Sequence, residues 1–210
     1  MRRYAAISPE ILGQRLTELL AQRHAGCHPL RVALDGPGWL DLAPLVEALR
    51  TGLPALGHPL AVVRARDFYR DASLRFEHGK TDVESFYSGW LDLAALQREV
   101  LRPLATADGP CYLPALRDEA TNRATRAQPA PLDVRGVLLV CGELLLGAGL
   151  SFDLVIHLDV SRSARKRLAP EDRRWTLPAF DRYAIDVDPV ALADVVIRYD
   201  DPRHPAISVR

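Results

Sequence analysis

Apolar residues first recur at helical spacing at Ile11, Leu12, Leu16, Leu19 and Leu20, directly behind Ser8-Pro9-Glu10. A hydroxyl cap, a proline where no helical N–H is missed and an acid near the positive end of the dipole predict a helix start there, and Gly26 is expected to stop the run. The pattern then changes to short apolar runs. Residues 31–35 (RVALD), 60–64 (LAVVR), 137–140 (VLLV), 154–158 (LVIHL) and 194–197 (DVVI) read as strands, the last being the final one expected. Helical stretches separate them: about 41–50, with Leu42, Leu45, Val46 and Leu49 on one face, then 83–104 and 161–168. Strands that are apolar throughout and alternate with helices predict an α/β fold, with a parallel sheet of roughly five strands covered by helices on both faces. The proline-rich stretch 127–133 (AQPAPLD) is a loop inside that sheet, since the segments on either side complete it. Residues 1–210 therefore read as one domain, with 1–30 as an N-terminal helix and lead-in.

Charge and cysteine content exclude several functions. The 27 basic and 27 acidic side chains balance, so no clustered cationic excess exists for nucleic acid. All the cations except Lys80 and Lys166 are arginines, which leaves two candidates for any lysine chemistry. Cys27, Cys111 and Cys141 form no CxxC pair and read as reduced thiols of a cytoplasmic protein. The opening residues lack the continuous apolar core of a signal peptide, and the longest apolar run, 136–150, is interrupted by Glu143; no membrane partner is expected. His24 and His28 have metal-ligand spacing, but Gly26 and Pro29 end the helix that would align them, so no metal site is expected.

Ligands of such sheets sit beyond the carboxyl ends of the strands. The first strand ends in Asp35-Gly36-Pro37-Gly38-Trp39 before a helix. A glycine-rich turn there can cradle an anion with backbone N–H groups and the helix dipole, and ordinary turn chemistry is the alternative.

Several ordered segments together resemble the uridine kinase family in its bacterial form: 31–37 (RVALDGP), 66–70 (RDFYR), Phe86-Tyr87 with Leu91-Asp92 and 96–104, then 137–142 (VLLVCG), 153–160 (DLVIHLDV), the arginines around Arg165 and Arg167, 183–189, 193–196 (ADVV) and 201–205 (DPRHP). The resemblance covers nearly the whole chain. It implies the three-layer P-loop kinase fold and an ATP-dependent phosphorylation of a nucleoside 5′-hydroxyl.

The departures from that pattern are concentrated in the chemistry. A working phosphate loop reads GxxxxGK[ST], its lysine reaching the β and γ phosphates and its hydroxyl holding Mg²⁺. Counted from Gly36, those positions are Asp41, Leu42 and Ala43. The degenerate loop thus comprises Gly36, Gly38, Trp39, Asp41, Leu42 and Ala43. Asp41 is expected to place the protein's own carboxylate at the anion site while capping the helix. Where the family's general base stands there is Arg66, which accepts no proton at neutral pH, with Asp67 beside it. Cys141 replaces the acid expected before Gly142, with Glu143 two residues on, and Arg198-Tyr199 replaces an Asp-Asn pair.

These losses predict a non-phosphorylating pseudokinase that binds a nucleoside-like small molecule or a protein partner and needs no cofactor. Two alternatives stay open: an active nucleoside kinase using Mg·ATP with an atypical loop, and a cleft turned to other chemistry through Asp67, Cys141 or Glu143. Asp67 and Glu143 are the candidate catalytic residues. The resemblance assigns Tyr69, Asp92, Tyr112 and Arg117 to the nucleoside, with packing by the tyrosines and helix capping by Asp92 as the alternative. Residues 161–182, with Arg165 and Arg167, form a shortened lid-like segment. His157, inside an apolar strand, is expected to be a satisfied core residue, and Trp39 to fill space left by a nucleotide.

Overall fold

The computed structural model describes residues 2–24, 26–105 and 109–210. A short strand β1 (Ala5–Ala6) leads into helix α1 (Pro9–Arg23), whose start is capped by the Ser8 hydroxyl accepting from the Ile11 N–H. Strand β2 (Leu30–Asp35) is buried along its whole length. Helix α2 (Ala43–Ala55) follows the Gly36 loop, and β3 (Leu60–Arg64) follows α2. The expected 41–50 helix starts two residues later because the Asp41 carboxylate accepts from the Ala43 N–H at 3.0 Å, making a turn ahead of the helix.

After β3 the chain makes a 3₁₀ turn (Ala65–Phe68) and a short α3 (Ala72–Arg75). The predicted helix 83–104 is broken in the middle. A π-helical turn (Ser85–Gly89) precedes Leu91, which bridges antiparallel to Tyr69; α4 (Leu93–Leu96) then restarts, with the Asp92 carboxylate accepting from the Ala95 N–H at 2.9 Å, and continues as a π-helical turn (Gln97–Leu101). Four two-residue strands follow, β4 (Cys111–Tyr112), β5 (Arg117–Asp118), β6 (Arg123–Ala124) and β7 (Ala130–Pro131), paired β4 with β7 and β5 with β6. The remaining elements are β8 (Val137–Gly142), β9 (Leu154–Asp159), α5 (Arg162–Leu168), α6 (Leu177–Asp186), α7 (Pro189–Leu192), β10 (Val195–Arg198) and β11 (Ala206–Val209).

The main sheet has seven strands in the order β1-β11-β10-β9-β2-β8-β3. Five neighbouring strands, β10 to β3 at the other edge, are parallel, as the alternation predicts. The extension beyond five is a correction to the sequence reading. Residues 194–197 are not the last strand, because the chain turns back after residue 205 and β11 adds antiparallel to β10, with β1 outside it. A four-residue strand with one apolar face closes the edge of a sheet without the continuous apolar run that marks a central strand.

Strand alternation sends side chains to two cores. Val32, Leu34, Val137 and Leu139 pack with α1 and α2 on one face; Ala33, Leu138 and Val140 pack with Leu96, Val100 and Leu101 on the other. α1 and α2 approach closely at small residues: a Cβ on Gly13 would come within 2.6 Å of the Ala48 Cβ. Arg31, an unlikely-looking charge inside β2, is held by Asp153 through contacts of 2.9 and 2.6 Å. No helix among the described residues is long and apolar enough to cross a membrane.

Candidate functional site

The carboxyl ends of the parallel strands open into a cleft of about 480 Å³, walled by the Gly36–Val46 segment, the ends of β3 and β8, and Arg173. Register builds its centre. In the β2–β8 ladder Asp35 stands opposite Gly142, which places Glu143 beside the start of the Gly36 loop. One Glu143 oxygen accepts from the Gly38 N–H at 2.9 Å; the other accepts from the Tyr69 hydroxyl at 2.9 Å and from the Arg173 guanidinium at 2.7 Å. The protein's own carboxylate thus lies on a backbone amide of the loop, but it comes from Glu143 and not from Asp41. Asp41 is exposed and bonded to its own helix start.

Glycine at position 38 leaves room for that contact. A Cβ there would sit 2.8 Å from the Glu143 Oε2, and one on Gly36 would sit 2.8 Å from the Leu158 Cβ. Both glycines serve close approach of protein groups. The positions after them present Leu40, Leu42 and Ala43 to the cleft, with Leu42 half-buried and Ala43 exposed where the family pattern has its lysine and hydroxyl. Lys80 and Lys166 are exposed and do not line the cleft.

The other sequence-named residues scatter. Asp67 is buried, paired with Arg64 at 2.8 Å, and does not line the cleft, whereas its neighbour Arg66 does; on a 3₁₀ turn successive side chains point about a third of a turn apart. Tyr69 is buried against Trp90, with ring centroids 5.6 Å apart, and burial followed by the adjacent Glu143 charge pushes its phenol well above the ordinary value. Asp92 caps α4, the role its position allowed. Tyr112 is half-buried at the edge of the second core, and Arg117 pairs with Asp71 at 3.2 Å. Of the nucleoside set, only Tyr69 reaches the cleft. Arg165 donates to the Val160 carbonyl and to Asp181, and Arg167 to the Asp200 carbonyl, so both brace their own neighbourhood. Cys141 lines the cleft, but burial raises its thiol to about 12, which leaves it protonated at neutral pH.

Two groups of residues escaped the sequence reading. The first is a buried network opposite the cleft wall: Asp35 accepts from the Leu145 N–H at 2.9 Å and from the Tyr183 hydroxyl at 3.2 Å, and its Oδ2 lies 2.7 Å from His157 Nδ1. The satisfied-core expectation for His157 matches this pairing. The second is an aromatic cluster of Tyr69, Phe86, Trp90 and Phe180 with Trp39 and Trp175 at its margin. Trp39 meets Phe180 edge-on, 4.9 Å between centroids, and Arg75 lies buried over the Tyr69, Phe76 and Trp90 rings at 4.8–5.5 Å. Six aromatic residues spread over 140 positions carry no local signal. Among the described residues no three His, Cys, Asp or Glu side chains gather as a metal site.

Compared with solved structures, the chain superposes on a "possible uridine kinase" from Bacillus stearothermophilus with a TM-score of 0.68 at 20% identity, covering 89% of this chain and 98% of that one. The fold is that of the P-loop kinases. A "putative fructose transport system kinase" from Silicibacter sp. TM1040 gives a TM-score of 0.56 at 22% identity, over 89% and 95% of the two chains. No family model and no curated protein matches the sequence. The shared P-loop kinase fold puts the Gly36 loop, β8 and the 161–182 segment around one cleft, and leaves the chemistry to the side chains.

Proposed function

We propose that this P-loop kinase fold has given up phosphotransfer, and that the chain is a pseudokinase whose cleft holds a small, nucleoside-like or related organic molecule. The observation that carries the reading is the Glu143 carboxylate bonded to the Gly38 N–H, in a loop that offers Leu42 and Ala43 in place of a lysine and a hydroxyl. A nucleoside triphosphate with Mg²⁺ does not fit these groups. Its γ-phosphate would meet no ammonium, its metal no hydroxyl, and its charge would have to displace a carboxylate already held by Tyr69 and Arg173. Loss of one charge-stabilising group from a transition state costs on the order of 10²- to 10³-fold in rate. Arg66 at the position of the general base removes a second contribution.

The test is calorimetric titration with Mg·ATP followed by assay of uridine and cytidine phosphorylation. No ATP binding and no turnover is the expected result. Micromolar ATP binding with turnover of roughly 1 s⁻¹ establishes the active-kinase alternative instead. Restoring the pattern with Asp41→Gly, Leu42→Lys and Ala43→Thr should not by itself create ATP binding, because Glu143 still covers the loop amide.

A further inference from the structure

We infer, on the reading that this loop no longer receives a triphosphate, that Glu143 is an internal ligand. The Gly38 N–H, the Tyr69 hydroxyl and the Arg173 guanidinium together form a carboxylate-binding site in the cleft, which the chain fills with its own side chain and so closes to free anions.

Three parts of the chain supply the donors. Gly38 belongs to the loop after β2, Tyr69 follows the 3₁₀ turn after β3, and Arg173 lies in a second 3₁₀ turn (Glu171–Thr176) between α5 and α6. The Gly38 N–H reaches Oε2 at 2.9 Å, while the Tyr69 hydroxyl at 2.9 Å and an Arg173 N–H at 2.7 Å share Oε1. A carboxylate, with two oxygens and no donor of its own, is the acceptor that takes all three at once. Among the described residues Glu143 is the sole hydrogen-bond acceptor of the Tyr69 hydroxyl and of the Arg173 side chain. Tyr69 is buried and the Arg173 side chain is 23% exposed, so loss of the carboxylate leaves a buried phenol and a largely desolvated cation in need of a replacement.

The steric fit points the same way. Gly38 lies outside the left-handed region, so its backbone conformation does not call for glycine. What a side chain there would meet is the Glu143 carboxylate, 2.8 Å from the position of the Cβ. Glu119, the other carboxylate lining the cleft, is paired with Arg66 at 3.5 Å and leaves these donors to Glu143. Gly38, Tyr69, Glu143 and Arg173 all line the cleft, so a small anion can reach the donors once the internal carboxylate is cut away. Glu143→Ala deletes a CH₂–COO⁻ group, and acetate is that group as a free molecule.

The probe is acetate at about 100 mM, with chloride at equal ionic strength and acetamide, which has acetate's shape without its charge, as separate arms; urea unfolding of the full chain is the readout. With a dissociation constant of about 10 mM, in keeping with so small a ligand, acetate should shift the unfolding equilibrium of Glu143→Ala about tenfold towards the folded state relative to chloride. Wild type and Glu143→Gln, whose site is already filled, should each shift by less than about twofold, and acetamide should act on none of the three. Adding Arg173→Gln to Glu143→Ala should cut the acetate effect to less than about twofold. If Glu143→Ala does not stay folded in chloride, the same comparison is read as the yield of refolding from urea, which acetate should restore. Equal effects of acetate and chloride, an equal effect on wild type or Glu143→Gln, an effect that survives Arg173→Gln, or failure to fold in either salt each overturns the inference. Turnover of Mg·ATP by the wild type, assayed in parallel, overturns the non-phosphorylating reading and with it the closed loop, whatever acetate does. Failed rescue without ATP turnover overturns the internal ligand alone, so the two failures are distinguishable.

Discussion

Asp35 and Glu143 lie side by side at the ends of adjacent strands, each a buried carboxylate with three partners, yet they belong to different kinds of region. Asp35 is fully buried on the face it shares with Ala33, between β9 and α6, where His157, Tyr183 and the Leu145 N–H converge on it. The cavity beside it measures about 70 Å³. Glu143 is bound by one loop amide, one phenol and the Arg173 guanidinium, and it faces a cleft of about 480 Å³. The partners of Asp35 are held by strand register and a packed helix. Those of Glu143 come from the loop after β2, the segment after β3 and the 3₁₀ turn (Glu171–Thr176) between α5 and α6. A polar network in the first setting holds the fold together; in the second it sets what the cleft can accept.

The contrast breaks most visibly at Asp35. Asp35→Ala leaves two buried donors and an imidazole without their acceptor and should cost about 3–5 kcal/mol, read as a lowered midpoint in urea unfolding. Glu143→Ala should cost less, about 2 kcal/mol, because the freed Arg173 guanidinium can turn to water in the cleft. Equal losses at the two sites would mean that the cleft network is as structural as the buried one. Gly38→Ala, which drives a methyl against the Glu143 Oε2, should cost about 1–2 kcal/mol and open the Tyr69–Glu143 contact, seen as a change in tyrosine absorbance.

The smallest effect is a pH limb. Burial, reinforced by Glu143 at Tyr69 and by Asp35 at Tyr183, raises both phenols above the ordinary value of 10.0. A folded-state pKa above the unfolded one means that the unfolded chain loses these protons first. Stability is therefore fully present below about pH 10 and falls as the pH rises beyond it. Tyr69→Phe and Tyr183→Phe should each flatten that alkaline limb in unfolding experiments at successive pH values. Glu143→Gln should flatten the part of that limb contributed by Tyr69 and leave the part from Tyr183, since Tyr69 bonds to Glu143 and Tyr183 to Asp35.

The fold was legible because its signals are local. Five apolar runs with helices between them can be read one segment at a time, and β3 and the 161–168 helix fall where the pattern puts them. The antiparallel strands β1 and β11 were not, since a two-residue pairing and a half-exposed strand take their identity from a neighbour. The break of the 83–104 helix at Leu91 likewise depends on Tyr69, more than twenty residues away. At the site, the absence of a lysine and hydroxyl in the loop is plain in the sequence. That the acid on the loop amide is Glu143 is not, because two strands far apart in the chain must first pair. The same holds for Arg66 lining the cleft while Asp67 does not.

By itself the sequence determined that positions 42 and 43 carry neither an amine nor a hydroxyl: Leu42 and Ala43 are apolar in any fold, and neither Lys80 nor Lys166 lies in the loop. It also determined the parallel α/β class, through the period of its apolar positions. Only the tertiary structure decided which charged groups meet around the loop. The pairing of Glu143 with Gly38 and the ion pairs of Arg64 with Asp67, Arg66 with Glu119 and Arg173 with Glu143 are set by distances of a few ångströms, most of them between residues far apart in the chain. Hydrogen bonds and ion pairs act over that range and no farther, so composition can state which groups exist but not which of them meet.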